Sequence, residues 1–120
     1  MAEDLGAFEQ AVLLSLIKPV TEIGRQAYGR AILKEVQHRL DRDVAAGAVY
    51  ATLDRLERKG LISSELEAGT IVRAGRHRRC YAIEPAGIPA LNDAKAAVEH
   101  LYAGIRWPLK GTAPRGARPA

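Results

Sequence analysis

The stretch GAVYATLDRLERKGLI, residues 47–62, decides how the rest of the chain is read. Val49, Leu53 and Leu56 recur at i, i+4 and i+7, one apolar stripe of a helix, and Gly60 stands where that helix should stop. The helical period turns Ala48, Ala51, Arg55 and Arg58 away from the stripe, with Tyr50 and Thr52 on its flanks. Small residues near the start let the backbone approach a partner closely. Thr52 and Arg55 can hydrogen-bond to base edges or phosphates, and Tyr50 can donate to a phosphate, so the unburied side suits DNA. In an Arg-Leu-Glu segment Arg55 can equally pair with an acid on a neighbouring helix. Both roles stay open at this point.

Upstream, Leu5 to Lys18 has Phe8, Val12 and Leu16 every four residues, with Leu13 and Ile17 beside them, which predicts a first helix ended by Pro19. A loop containing Gly24 follows. Tyr28 to Arg42 predicts a second, amphipathic helix with Ile32, Val36 and Leu40 on one face. The third helix is expected from Gly47 to Lys59. Downstream, Leu61–Glu67 and Arg79–Glu84 read as two strands of a hairpin, and glycines at 69 and 75 suggest a long loop between them. Pro85 suits the first turn of a fourth helix. In it Leu91, Ala94, Val98, Leu101 and Ile105 follow at spacings of 3, 4, 3 and 4, a heptad seam. At the 1.5 Å rise such a helix, about 30 Å long, would outrun a three-helix body.

The expected fold is therefore mainly α with a small β-hairpin, a winged helix-turn-helix carrying a C-terminal dimerisation helix. Residues 1–84 form the winged-helix unit, 85–106 the dimerisation helix, and 107–120, rich in Pro, Gly and Ala, read as a disordered basic tail.

Composition narrows the function. The 120 residues fit one domain with a modest core. No apolar run approaches a membrane span, and Leu5–Ile17 contains Glu9 and Gln10 and lacks a basic leader, so a cytoplasmic location is expected. The single cysteine, Cys80, excludes an internal disulfide; alternating with Tyr81 along a strand, it reads as a small buried hydrophobe. His38, His77 and His100 lack metal-ligand spacing, so no metal and no cofactor are expected. Neither a nucleophile–base pair nor a phosphate loop nor a carboxylate constellation points to an enzyme. The net charge is +4, yet RAGRHRR (73–79) and the segment 104–120 together carry +8, leaving −4 elsewhere. Concentrated positive charge favours a polyanion over a solvating coat.

Four pieces resemble the PadR family of bacterial winged-helix transcriptional regulators. These are LGAFEQAVLLSLI in the first helix, AYG opening the second, GAVYATLDRLERKGLI in the third, and GRHRRCYAIEPAG at the wing, all within residues 5–106. Three positions depart from the pattern. Ala46 stands where a hydroxyl residue is common, so an N-cap oxygen is missing; Ala51 replaces a frequent proline, and Glu84 a frequent threonine. The resemblance implies a homodimer joined through the fourth helix and a repressor released by an effector.

The resulting assignment places DNA contact at Ala48, Tyr50, Ala51, Thr52 and Arg55 of the third helix. It adds Arg76, His77, Arg78 and Arg79 of the wing, whose cations would meet phosphates or the minor groove. Leu5, Phe8, Leu91, Ala94, Val98, Leu101 and Ile105 are the expected dimer interface. Phe8, Leu101 and Trp107 would line a cleft for a small aromatic effector. The partners are double-stranded DNA with an inverted-repeat operator and a second copy of the chain, and no membrane. The alternative is a winged-helix protein-interaction module without DNA binding, and the wing arginines argue against it.

Overall fold

A chain with one helix that is apolar nearly all round, two amphipathic helices and a hairpin must wrap the amphipathic stripes and one sheet face around the apolar helix. The structure, a computed structural model, describes the backbone of residues 5–17, 27–72 and 76–111 and the side chains of 5–17, 28–66 and 79–111. Its elements are α1 (Ala7–Ile17), β1 (Ala27–Tyr28), α2 (Gly29–Leu40), α3 (Ala46–Arg58), β2 (Ile62–Val72), β3 (Arg76–Ile83) and α4 (Gly87–Tyr102). The expected Pro19 stop and Gly24 loop, and residues 112–120 of the expected tail, lie outside the described residues.

α1 runs through the centre. Val12 and Leu13 are fully buried, as is Ser15, whose hydroxyl is satisfied by donating to the Val12 carbonyl at 2.5 Å. At the helix start the Gly6 N–H donates to Glu9 Oε1 at 3.3 Å. A carboxylate three residues in thus satisfies an otherwise orphaned backbone donor, the reciprocal half of a capping box. Around α1, Ile32 and Val36 of α2 and Val49, Leu53 and Leu56 of α3 are all fully buried, as their spacing predicts. Each such side chain contributes about 1.5–3 kcal/mol on leaving water. Ile62 of β2 and Tyr81 of β3 close the same core.

The connection from α2 to α3 is made by local chemistry. α2 ends at Asp41 in the left-handed region (φ 55°), and the Asp41 and Arg42 N–H groups return to the His38 and Gln37 carbonyls. Gln37 Oε1 then accepts from the Val44 N–H at 3.1 Å and fixes the turn. α3 starts one residue before the expected Gly47. Its N-cap, Ala45, supplies no side-chain oxygen, so the helix start is bare.

The hairpin departs from expectation. β2 extends to Val72 and β3 begins at Arg76, with Ile71 opposite His77 and Val72 opposite Arg76. The region read as a long loop is therefore mostly paired strand, interrupted by an irregularity between Leu66 and Ile71. Gly69 falls within that irregularity. β1 adds a third strand, in the order β1-β3-β2, with Tyr28 opposite Cys80. This makes β3 the central strand, and its consecutive residues Cys80 and Tyr81, which point to opposite faces, are both buried.

The junction into α4 is tight. Glu84 N–H donates to the Leu61 carbonyl at 2.9 Å, and the Gly87 N–H closes back on the Glu84 carbonyl at 2.8 Å. Pro85 lies in this turn and Pro89 occupies the first turn of the helix, where a missing N–H is harmless. Ala90, Leu91 and Ala94 pack against the core, and every residue from Lys95 to Gly111 is exposed. The helix stops at Tyr102, shorter than expected, because Ala103 is extended and Gly104 is left-handed (φ 80°). Ile105 thus falls beyond the helix and is no part of a helical seam.

Candidate nucleic-acid interface

α3 presents the face that its periodicity assigns outward. Ala48 and Ala51 are exposed, Tyr50 is 45% exposed, and the Arg55 side chain is 48% exposed. Thr52 corrects the assignment. It is only 3% exposed, and its Oγ1 accepts from Arg55 Nη2 at 3.3 Å. One hundred degrees per residue places position 52 nearer the buried stripe of Leu53 and Leu56 than a flank position, so it cannot meet a base directly.

Arg55 resolves its two readings by doing one visibly. Its Nε donates to Glu9 Oε2 at 3.2 Å, and Lys59 Nζ reaches the same oxygen at 3.0 Å. Glu9 is 8% exposed. Burial pushes its carboxyl upward, but hydrogen bonds from Lys59, the Gly6 N–H and Arg55 outweigh that and hold it below the ordinary carboxylate range. A buried anion on α1 therefore grips two cations of α3. The sequence reading anticipated an acid partner for Arg55 without identifying Glu9; its place three residues after Gly6 was the available signal.

Tyr50 also has a structural seat. Its ring lies across Gly29, where a Cβ would come within 2.7 Å of Tyr50 Cε1. The glycine of AYG and the tyrosine of GAVY are thus two halves of one contact. That contact holds the aromatic ring at the edge of α3.

The wing is tied to α3 at its C-terminal end. Ser64 on β2 donates to the Glu57 carboxylate (2.9 and 3.0 Å to its two oxygens) and accepts from Arg79 Nη1 at 2.9 Å. Arg76, His77 and Arg78 stand on β3 in the outer part of the hairpin, and their side chains lie outside the described residues. Their strand placement replaces the glycine-flanked loop expected for them. Helix and basic strand therefore form one bonded unit, the arrangement a winged helix uses on a duplex.

Residues 17–93 match the family model described as the transcriptional regulator PadR-like family. The chain belongs to the PadR-like family. A curated relative, the transcriptional regulator Rv3488 of Mycobacterium tuberculosis, is 40% identical over 73 residues, which span 61% of this chain and 64% of that protein. A solved PadR-like transcription factor from Bacteroides fragilis superposes with TM-score 0.61 at 25% identity, covering 78% of this chain and 81% of that one. A transcriptional regulator from Clostridium thermocellum has the same fold, with TM-score 0.64 at 24% identity over 85% of this chain and 92% of its own. These relatives are transcriptional regulators.

The remaining assigned positions of this PadR-like chain separate into two groups. Leu5 is 8% exposed and belongs to the chain's own core, so it is not available to a partner; Phe8 is half-buried against the same core. Leu91 and Ala94 also pack inward, whereas Val98 (47%), Leu101 (72%) and Ile105 (52%) are exposed. Trp107 stacks on Tyr102, with ring centroids 5.1 Å apart. An apolar groove of about 630 Å³ lies between α1 and α4, lined by Leu14, Ile17, Ile88, Leu91 and Val98 with Gln10, Asn92 and the Lys95–Glu99 ion pair at its polar side; Phe8, Leu101 and Trp107 do not line it. Among the described residues no group of three or more His, Cys, Asp or Glu could hold a metal, and no helix is long and apolar enough to cross a membrane.

Proposed function

We propose that this PadR-like regulator is a homodimer that reads an inverted repeat in double-stranded DNA and acts as a repressor released by an effector. The observation that carries this reading is the exposed α3 face of Ala48, Tyr50, Ala51 and Arg55, bonded through Glu57 and Ser64 to the basic strand β3. Small residues admit the helix to the major groove, and the cations neutralise phosphates on either side. Dimerisation is supported by the free half of α4, where Val98, Leu101 and Tyr102 are about half exposed or more. An apolar effector would act at the groove between α1 and α4, because a ligand at the root of α4 changes the angle at which that helix leaves the body.

Selection of duplexes from a random pool tests the DNA reading. The enriched sequences should be inverted repeats with half-site centres roughly 10 bp apart, or a multiple of that. An unenriched pool would favour the interaction-module alternative. The double variant Arg78→Ala/Arg79→Ala should bind selected and scrambled duplexes more weakly by similar factors. Each phosphate contact contributes about −0.9 to the slope of log affinity against log salt, and a dimer presents each arginine twice, so up to about four contacts are lost. A loss confined to the selected duplex would make the wing a base reader.

The bare start of α3 gives a prediction of opposite signs. Ala45 already has N-cap geometry (φ −74°, ψ 139°), so Ala45→Asp should add a capping acceptor and stabilise the fold by about 1 kcal/mol. The same carboxylate would repel phosphate, and duplex binding should weaken. A thermal melt paired with a binding titration reads both; tighter binding would place the helix start away from the backbone.

A further inference from the structure

We propose that Glu9 is a positioning residue for DNA recognition: from α1 it pre-orients the Arg55 guanidinium that α3 presents to a base edge. The inference rests on the DNA-reading assignment above and names the residue that makes the reading specific. A free arginine on a helix surface samples many rotamers and must lose them on binding a base. Arg55 does not begin free. Nε is held by Glu9 Oε2 (3.2 Å) and Nη2 by Thr52 Oγ1 (3.3 Å), and both anchors are buried, at 8% and 3% exposure. Two of its three nitrogens are thus fixed from the protein side. Nη1 has no partner among the described residues, and the side chain remains 48% exposed. The planar fork is aimed outward with its orientation already set.

The buried position of Thr52 gains a purpose here. Unable to touch DNA itself, it is the second of two tethers on the residue that can. Lys59 shares Glu9 but has a different setting: it sits at the C-cap of α3, its side chain is only 23% exposed, and it lies at the far end of the helix from Ala48 and Ala51. Glu9 therefore serves a structural clamp through Lys59 and an orienting one through Arg55, and the two can be separated.

Removing the Glu9 charge has two consequences of opposite sign. The guanidinium loses its orientation, which weakens base reading, and the surface gains one net positive charge, which strengthens attraction to any duplex. Glu9→Gln should therefore weaken binding to a duplex selected by the wild-type chain, and leave binding to a scrambled duplex equal or tighter. Immobilising one rotamer-rich side chain is worth roughly 2- to 12-fold in affinity. A dimer presents two, so the selected-to-scrambled ratio should fall roughly fourfold or more.

The experiment measures that ratio by fluorescence anisotropy for the wild type, Glu9→Gln, Thr52→Val, Lys59→Gln, Arg55→Ala and the pair Glu9→Gln/Arg55→Ala. Glu9→Gln and Thr52→Val should both lower the ratio, Lys59→Gln should leave it unchanged, and Glu9→Gln should have no further effect once Arg55 is alanine. Parallel weakening on both duplexes, or an equal fall in the Arg55→Ala background, would make Glu9 a helix clamp only and overturn the proposal. Should Glu9→Gln fail to fold, Thr52→Val decides alone, and an unchanged ratio there overturns it too. A wild-type chain that selects no duplex would instead sink the DNA reading itself, and the positioning role with it.

Discussion

Leu101→Asp should turn the proposed dimer into a folded monomer. Leu101 is 72% exposed in the last turn of α4, so an aspartate there removes little packing within its own chain. Its poorer helix propensity and unfavourable place on the helix dipole should cost the monomer no more than about 1 kcal/mol. In a dimer joined through α4 the same position would enter an apolar seam with Val98 and Tyr102. A carboxylate taken out of water without a partner costs about 2 kcal/mol or more, and two-fold symmetry doubles the cost. The expected shift in the dimer dissociation constant is on the order of a thousandfold or more, from about 4 kcal/mol in all. Sedimentation at micromolar concentration reads the oligomeric state, and far-ultraviolet circular dichroism reads the fold. A variant that still sediments as a dimer would move the interface off the exposed half of α4. Duplex affinity should drop with dimerisation, because one head alone makes half of the contacts.

The second large effect is on stability. A Cβ at residue 87 would stand 2.6 Å from Ile83 Cγ1 and 2.8 Å from the Leu61 carbonyl oxygen. The side chain can rotate, but the carbonyl cannot, since it accepts the Glu84 N–H at 2.9 Å and fixes the turn between sheet and α4. Gly87→Ala should therefore force the turn apart and cost about 2–3 kcal/mol, the range of core overpacking. At roughly 4–6 °C per kcal/mol for a domain of this size, the melting temperature should fall by about 10 °C. Gly29→Ala is the matched comparison. There the three atoms nearest the added methyl all belong to the far end of the Tyr50 ring, which can swing outward. That variant should melt within about 1 kcal/mol of wild type. Equal melting losses for the two glycines would show that the carbonyl contact is not what makes Gly87 necessary.

These two positions also show how the reading of sequence divides from that of structure. Gly87 was visible as part of a Pro-Ala-Gly turn, but its reason, a carbonyl from Leu61 twenty-six residues earlier, depends on two strand ends meeting. Leu101 was visible as a seam position. Its exposure depends on α4 outrunning the body, and Leu91 and Ala94 of the same heptad pattern pack inward instead. Periodicity marks a face without saying which neighbour covers it.

By itself the sequence determined the elements whose causes are local. The stripes of α2 and α3 follow from spacing of Ile32, Val36, Val49, Leu53 and Leu56, and all five are fully buried. The stop at Gly60 follows from its left-handed backbone, φ 79°. The family followed from motifs 47–62 and 75–87 read together. Tertiary structure alone decided what depends on partners distant in the chain. β1 is two residues long, too short to show any period, and exists because β3 offers it an edge. The basic segment 76–78 became strand because β2 pairs with this end of β3, overriding the glycines around it. Thr52 and Arg55 stand three residues apart on one helix, yet Glu9 of α1 and the core beneath α3 bury the first and tether the second. A hydrogen bond across 46 residues leaves no pattern in either segment that forms it. Only the packed helices bring its two ends within reach.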